Sequence, residues 1–170
     1  MDALECIYGR RSVRKYARGR VRDEDLKKIL EAAIMAPSAG NLQPWKFYIV
    51  RNINVKRELM RAAYNQEFIY QADVCIVVVA IPHLSGRVYG ERGETLYCIQ
   101  DTAAAIQNIL LASKALGYGT CWVGAFNESM VREILKLPPK ERPVAIIPIG
   151  IPAEDPLPPR RKRDVFVFVN

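Results

Sequence analysis

The chain is poor in the residues that usually announce chemistry. It has a single histidine, His83, and four cysteines, at 6, 75, 98 and 121, with no Cys-x-x-Cys pair. Zinc-ligand spacing is therefore missing, and no metal site is expected. A disulfide framework is equally unexpected in 170 residues of which 50% are hydrophobic. The four thiols read as small buried hydrophobes. No run approaches the roughly 18–20 apolar residues that cross a bilayer. The start, "MDALECIYGRRS", carries early acidic residues and no apolar core of an export signal. A cytoplasmic protein without membrane contact is the expectation. Internal repeats, low-complexity tracts and linkers are absent, and 170 residues make about one domain, here spanning 1–170.

Charge is not scarce. The formal net charge is +7, with basic clusters at 10–20, "RRSVRKYARGR", and 160–163, "RRKR". Such a balance favours anionic partners, although most charge runs are solvated surface. A nucleic acid is one candidate anion. Aromatic residues are not interleaved with the clusters as they are in single-strand binders, so no nucleic-acid partner is expected. A phosphate on a small ligand would need fewer of the same arginines.

Periodicity supplies the elements. "DALECIYG" reads as a short helix. "RDEDLKKILEAAIMA" is a stronger helix, with acids in its first turn and Leu26, Ile29, Leu30, Ala33 and Ile34 at helical spacing, stopped by Pro37. "KFYIV" reads as a strand and "NVKRELMRAAYN" as a helix. "ADVCIVVVAI" suits a strand buried on both faces. The longest helix candidate is "GETLYCIQDTAAAIQNILLASKALGYG", apolar on most sides, which suits a large core or a second subunit. "TCWVGA" reads as a short strand, "NESMVREILKL" as a helix capped by Asn127, and "RPVAIIPIGIP" as a second buried strand. "DVFVFVN" reads as a last strand without a polar face, an exposed sticky edge unless another sheet pairs with it. "PHLSGRVYGERGE", with Gly86, Gly90 and Gly93, reads as a mobile loop. The alternation of helices and strands is irregular, so the expected class is α+β, a mixed α/β arrangement with a mixed sheet.

Three patches carry more than turn chemistry: "RRSVRKY" (10–16), "APSAGNLQPW" (36–45) and "ALGYGTCWVGAF" (115–126). In this order and spacing, with the valine-rich strand, the alanine-rich helix and the basic tail, the chain resembles the nitroreductase family of FMN-dependent flavoenzymes along its whole length. The resemblance implies a three-layer fold with a central mixed sheet flanked by helices, and a C-terminal strand that extends onto the partner subunit. It implies a homodimer with FMN sites at the interface. It also implies a ping-pong hydride transfer from NADH or NADPH, through flavin N5, to nitroaromatic, quinone or related acceptors.

Residue by residue, the resemblance assigns Arg10, Arg11, Ser12 and Arg14 to the phosphate and the flavin edge. Guanidinium forks suit phosphate oxygens. Many relatives carry lysine at the position of Arg14. In the tail the best match is Arg161, with Arg163 or Arg160 as alternatives, because Arg163 stands where the family's Arg-Lys-Pro-Leu has proline. Pro37, Ser38, Ala39, Asn41 and Gln43 would serve the isoalloxazine ring held mainly by the other subunit. Pro44 and Trp45 would anchor that loop in the core. The backbone near Val123 and Gly124 would face flavin N5. No side chain reads as an obligatory general base. His83 and Tyr89 are candidates to line the pocket, with a surface reading preferred for both, while Tyr64, Asn65, Gln66 and Phe68 fall where substrate contacts are often found. Two other readings compete: a same-fold flavoprotein with other chemistry, flavin fragmentation or reductive dehalogenation, and a polyanion-binding protein.

Overall fold

The computed structural model describes residues 2–169. Among the described residues, twelve helices and strands run in the order α1 (Ala3–Gly9), β1 (Tyr16–Ala17), α2 (Asp23–Ile34), β2 (Trp45–Val50), α3 (Ile53–Ala62), α4 (Phe68–Gln71), β3 (Val74–Ala80), α5 (Pro82–Arg92), α6 (Cys98–Ala115), β4 (Gly119–Thr120), α7 (Glu128–Leu135) and β5 (Arg142–Pro152). A 3-10 turn, Ala39–Asn41, precedes β2, and a π-helical turn, Gly93–Tyr97, leads into α6.

Every β3 residue is buried, and the reason is its place in the sheet. It lies between β2 and β5 in the order β1-β5-β3-β2, with β4 also on β5. Val74, Ile76 and Val78 point into a core closed by Leu26 and Ile29 of α2 and by Ile106, Ile109 and Leu110 of α6. Cys75, Val77 and Val79 point into a second core, with Leu59 of α3, Ile69 of α4 and Val131 of α7. Two helical layers thus sandwich one sheet, and a strand apolar on both faces is what such a sheet requires. At roughly 25 cal/mol per Å2, each fully buried Ile or Val contributes about 1.5–3 kcal/mol.

The expected α+β class and three layers are present. Every ladder between named strands is antiparallel, and the parallel element is the isolated Ser12–Thr120 bridge. β2 pairs with β3 alone, leaving its other edge open among the described residues. Asn127 caps α7 as expected, its Oδ1 accepting the Met130 N–H at 3.0 Å.

One expectation fails, and one element is unformed in the single chain. The glycine-rich stretch after β3 is α5, kinked at Gly90 (φ 57°, ψ −145°), rather than a loop. Its glycines at 86 and 93 permit close approach. A Cβ on Gly93 would sit 2.4 Å from the Ser85 carbonyl oxygen, and one on Gly86 2.4 Å from the Glu94 side chain. Within the single chain the tail forms no strand. Val165–Val169 pairs with nothing among the described residues and is 59–92% exposed, while Asn170 of the expected strand lies outside them. A strand needs a neighbour's N–H and C=O groups, and the tail meets none within its own chain among the described residues.

Candidate cofactor site

The first patch leaves α1 at Arg10 and runs as extended chain to β1. The Val13 N–H donates to the Thr120 carbonyl at 2.8 Å, and Ser12 bridges Thr120. Glycine is required opposite. A Cβ on Gly119 would meet Val13 at 2.9 Å and Pro152 at 3.1 Å. The first patch and the start of the third therefore lie side by side. The tail crosses them. Arg10, Arg11, Ser12, Arg14 and Arg161 line one open cleft of about 330 Å3, with Pro156, Leu157 and Pro159 completing its wall. Arg163 does not line it.

The electrostatics of this cleft are unbalanced. Burial lowers the Arg10 pKa, and the like charges of Arg161 and Arg11 lower it further. None of the four cleft arginines is in an ion pair among the described residues. Arg11 instead donates to the Tyr8 and Arg10 carbonyls, at 2.6 and 2.9 Å. The nearby carboxylate of Glu154 accepts the backbone N–H of Arg14. Beneath the cluster, burial raises the Cys121 thiol, while Arg14, a hydrogen bond from Ser12 and Arg10 pull it back down. Convergent guanidinium groups that no carboxylate pairs directly are a cost that an oxyanion removes.

The second patch is a tightly wound loop. Gly40, Asn41 and Gln43 all have positive φ, at 58°, 53° and 49°. Only glycine adopts that region freely. Three anchors hold it. Ser38 Oγ accepts the Gln43 N–H at 3.0 Å, Gln43 Nε2 donates to Asn41 Oδ1 at 3.2 Å, and Asp101 Oδ1 of α6 accepts the Ala39 N–H at 3.1 Å. Trp45 packs with Ala36 and Ala105, so its expected role as a core anchor is met. Asn41 and Gly40 are exposed and Ser38 is half-buried. The loop shares no hydrogen bond with the arginine cluster among the described residues.

In the third patch, Val123 exchanges both backbone hydrogen bonds with Ile146 at 3.0 Å, fixing the chain direction at Gly124. A Cβ on Gly124 would meet nothing within 4 Å, so its backbone faces open space. Of the expected substrate-side residues, Phe68 is in the second core, and Gln66 braces the turn by donating to the Ala63 and Ala125 carbonyls. Tyr64 and Asn65 form that turn with positive φ, and Tyr64 is exposed.

Several residues were invisible beforehand. Asp101 looked like one polar residue in a long helix. Glu154 sits in "PAEDPLPP", where the prolines signal only a stiff extended segment. The contact of the Tyr89 hydroxyl with Gly40 was equally hidden, although Tyr89 itself was singled out and, at 38% exposed, lies at the surface as preferred.

The sequence model of the Nitroreductase family matches residues 7–66 and 56–151, which include all three patches and most of the sheet but not the tail. A protein of Archaeoglobus fulgidus named as an NADH dehydrogenase/NAD(P)H nitroreductase is 38% identical over 158 residues, covering 91% of this chain and 87% of its own. The crystal structure of a nitroreductase family protein from Clostridium novyi NT superposes with a TM-score of 0.84 at 36% identity, covering 91% of this chain and 87% of the other. An FMN-dependent nitroreductase from Clostridium difficile R20291 gives a TM-score of 0.85 at 28% identity, covering 98% and 99%. With the layered fold, the arginine cleft and these matches together, the chain belongs to the nitroreductase family.

Proposed function

We propose that this protein is an FMN-dependent oxidoreductase that takes hydride from NADH or NADPH and reduces electron-poor acceptors such as nitroaromatics and quinones. The observation that carries the reading is the cleft where Arg10, Arg11 and Arg161 converge with no ion pair to a carboxylate among the described residues. A flavin phosphate, with about two negative charges near neutral pH, fits that deficit. The FMN-dependent relative from Clostridium difficile supports the same cofactor.

In this reading Arg10, Arg11 and Arg161 hold the phosphate, with Ser12 and Arg14 on the rim and Arg163 beyond it. Pro37, Ser38, Ala39, Asn41 and Gln43 present a rigid polar edge to the flavin ring of a second subunit. The backbone at Val123 and Gly124 offers its open face to the ring. Bound FMN would supply the two-electron carrier between the nicotinamide and the acceptor. The chain's own groups bind, orient and shield, and no side chain is required to move a proton at the acceptor.

A homodimer follows from the same reading. The tail leaves five consecutive apolar residues in solvent, more than a soluble chain keeps without a partner. The open edge of β2 borders an apolar cleft of about 480 Å3, lined by Leu26, Leu30, Ile34, Phe47 and Ile49. A tail from a second copy can add to that edge and fill that cleft. Four buried free thiols fit a reducing compartment such as the cytoplasm.

Two experiments test the proposal. Purified protein should carry, or take up on titration, one FMN per chain that heat or acid releases. Anaerobic stopped-flow mixing with NADH and NADPH should then bleach the flavin. Protein that binds no FMN refutes the cofactor. Bound FMN that neither nicotinamide reduces refutes the hydride donor, and turns the reading toward flavin fragmentation or reductive dehalogenation.

A further inference from the structure

We infer that Asp101 is the positioning residue that sets the shape of the 38–43 loop, and through it the seat of the flavin ring; the second half of this inference rests on the proposed function. The loop packs Gly40, Asn41 and Gln43 into the left-handed region within four residues. Such a run persists only where its surroundings over-determine it. The bonds from Gln43 to Ser38 and Asn41 are internal to the loop, so they can move with it. The bond from the Ala39 N–H to Asp101 Oδ1 is different, because it ties the start of the 3-10 turn to α6, an 18-residue helix in the core.

The placement of Asp101 is costly unless it serves a purpose. The residue is 6% exposed, has no ion pair among the described residues, and its Oδ2 is buried without a hydrogen-bond partner. A buried carboxylate held by one backbone amide is poor design for stability alone. Burial raises its pKa, and only the Ala39 amide lowers it. The amide and the carboxylate therefore depend on each other, and α6 dictates where Ala39 sits.

The test uses full-length Asp101→Asn and Asp101→Leu. The asparagine oxygen can accept the same N–H, whereas leucine fills similar space with no acceptor. In apo-protein, amide exchange at Ala39 should stay slow in the asparagine variant and rise about tenfold or more in the leucine variant. With FMN, the asparagine variant should hold its affinity within about threefold and keep the visible circular dichroism of the bound flavin. The leucine variant should bind about tenfold more weakly and change that band. Ala39→Pro supplies an independent arm should the leucine variant not fold. Ser38 is already extended (φ −142°, ψ 151°), as a residue before proline must be, and the first position of a helical turn tolerates proline. It deletes the donor without touching Asp101, and should reproduce the weaker binding and changed band. Unchanged exchange and binding in the leucine variant, unchanged binding and flavin band in the proline variant, or an asparagine variant that behaves like leucine, overturns the inference. Failure of the wild type to bind FMN would refute the proposed function instead, and the apo exchange result would still decide the role of Asp101 in the loop.

Discussion

Replacing Gly40 with alanine puts a methyl group in a place that two separate features forbid. The first is backbone conformation. At φ 58° and ψ 18° the residue is left-handed, which costs an alanine about 1–2 kcal/mol. The smaller conformational freedom of the unfolded alanine chain returns about 0.4–1 kcal/mol. The second is space. The new Cβ would lie 2.7 Å from the Tyr89 hydroxyl, with the nearest ring carbons at 3.5 Å. Tyr89 must swing off its rotamer, at about 0.5–1.5 kcal/mol. Gly117 separates the two terms, because it is also left-handed (φ 85°) but a Cβ there meets nothing within 4 Å. Gly117→Ala should therefore cost about 1 kcal/mol, and Gly40→Ala about 1.5–2.5 kcal/mol. At roughly 2–4 °C per kcal/mol for a chain of this size, Gly40→Ala should melt about 3–10 °C below wild type by circular dichroism. Tyr89→Phe removes the clashing oxygen and leaves only ordinary contacts. In the Gly40→Ala/Tyr89→Phe double variant, the excess over Gly117→Ala should disappear. Equal losses at Gly40 and Gly117, or additive effects of Gly40→Ala and Tyr89→Phe, would refute the reasoning and detach α5 from the loop.

Three further outcomes are expected. Arg10→Ala should weaken FMN binding about 10- to 150-fold, the worth of a charge-assisted contact, whereas Lys15→Ala, on an exposed charge outside the cleft, should change it little; equal affinities by fluorescence titration would remove the cluster from the phosphate site. Deleting residues 165–170 should lower dimer content in light scattering and flavin retention together, since losing even one Phe that a partner buries costs about 3–5 kcal/mol; a stable monomer holding one FMN per chain would unlink them. Burial raises the Asp101 carboxyl, so the folded chain holds that proton more tightly than the unfolded chain, whose aspartates titrate at about 3.9. Wild-type stability should then fall relative to Asp101→Asn as pH rises through and above that value, and the gap should close at lower pH; urea midpoints that run parallel for the two proteins would contradict it.

The parts of the fold legible beforehand were those where one residue's chemistry settles one choice. Seven apolar residues in a row at 74–80 left β3 no exposed face. Leu26, Ile29 and Ala33 at helical spacing gave α2 one buried side. What escaped depended on a second segment. Gly86 and Gly93 suggest freedom when read alone, and only the packing of α5 against the π-helical turn shows that they exist for closeness. The tail has strand composition, but pairing is a property of two strands. The same holds at the site. The arginines and the crowded loop could be singled out by residue type. That Arg161 and not Arg163 reaches the cleft, and that Asp101 holds Ala39, follows from distances between segments far apart in the chain.

The four free thiols are all buried, at different depths of the architecture. Cys6 sits in the terminal helix α1, Cys121 beside β4, Cys98 at the first turn of α6, and Cys75 in the central strand, where burial pushes its pKa up to about 12. A thiol in that state reacts only when its surroundings open. The protein therefore carries its own four-channel stopwatch. Alkylation timed by mass spectrometry should mark Cys6 first, as the end of the chain frays, and Cys75 last, at the rate of whole-molecule unfolding. Between them, Cys121 would register how firmly an anion closes the arginine cleft above it, without any label being engineered into the chain.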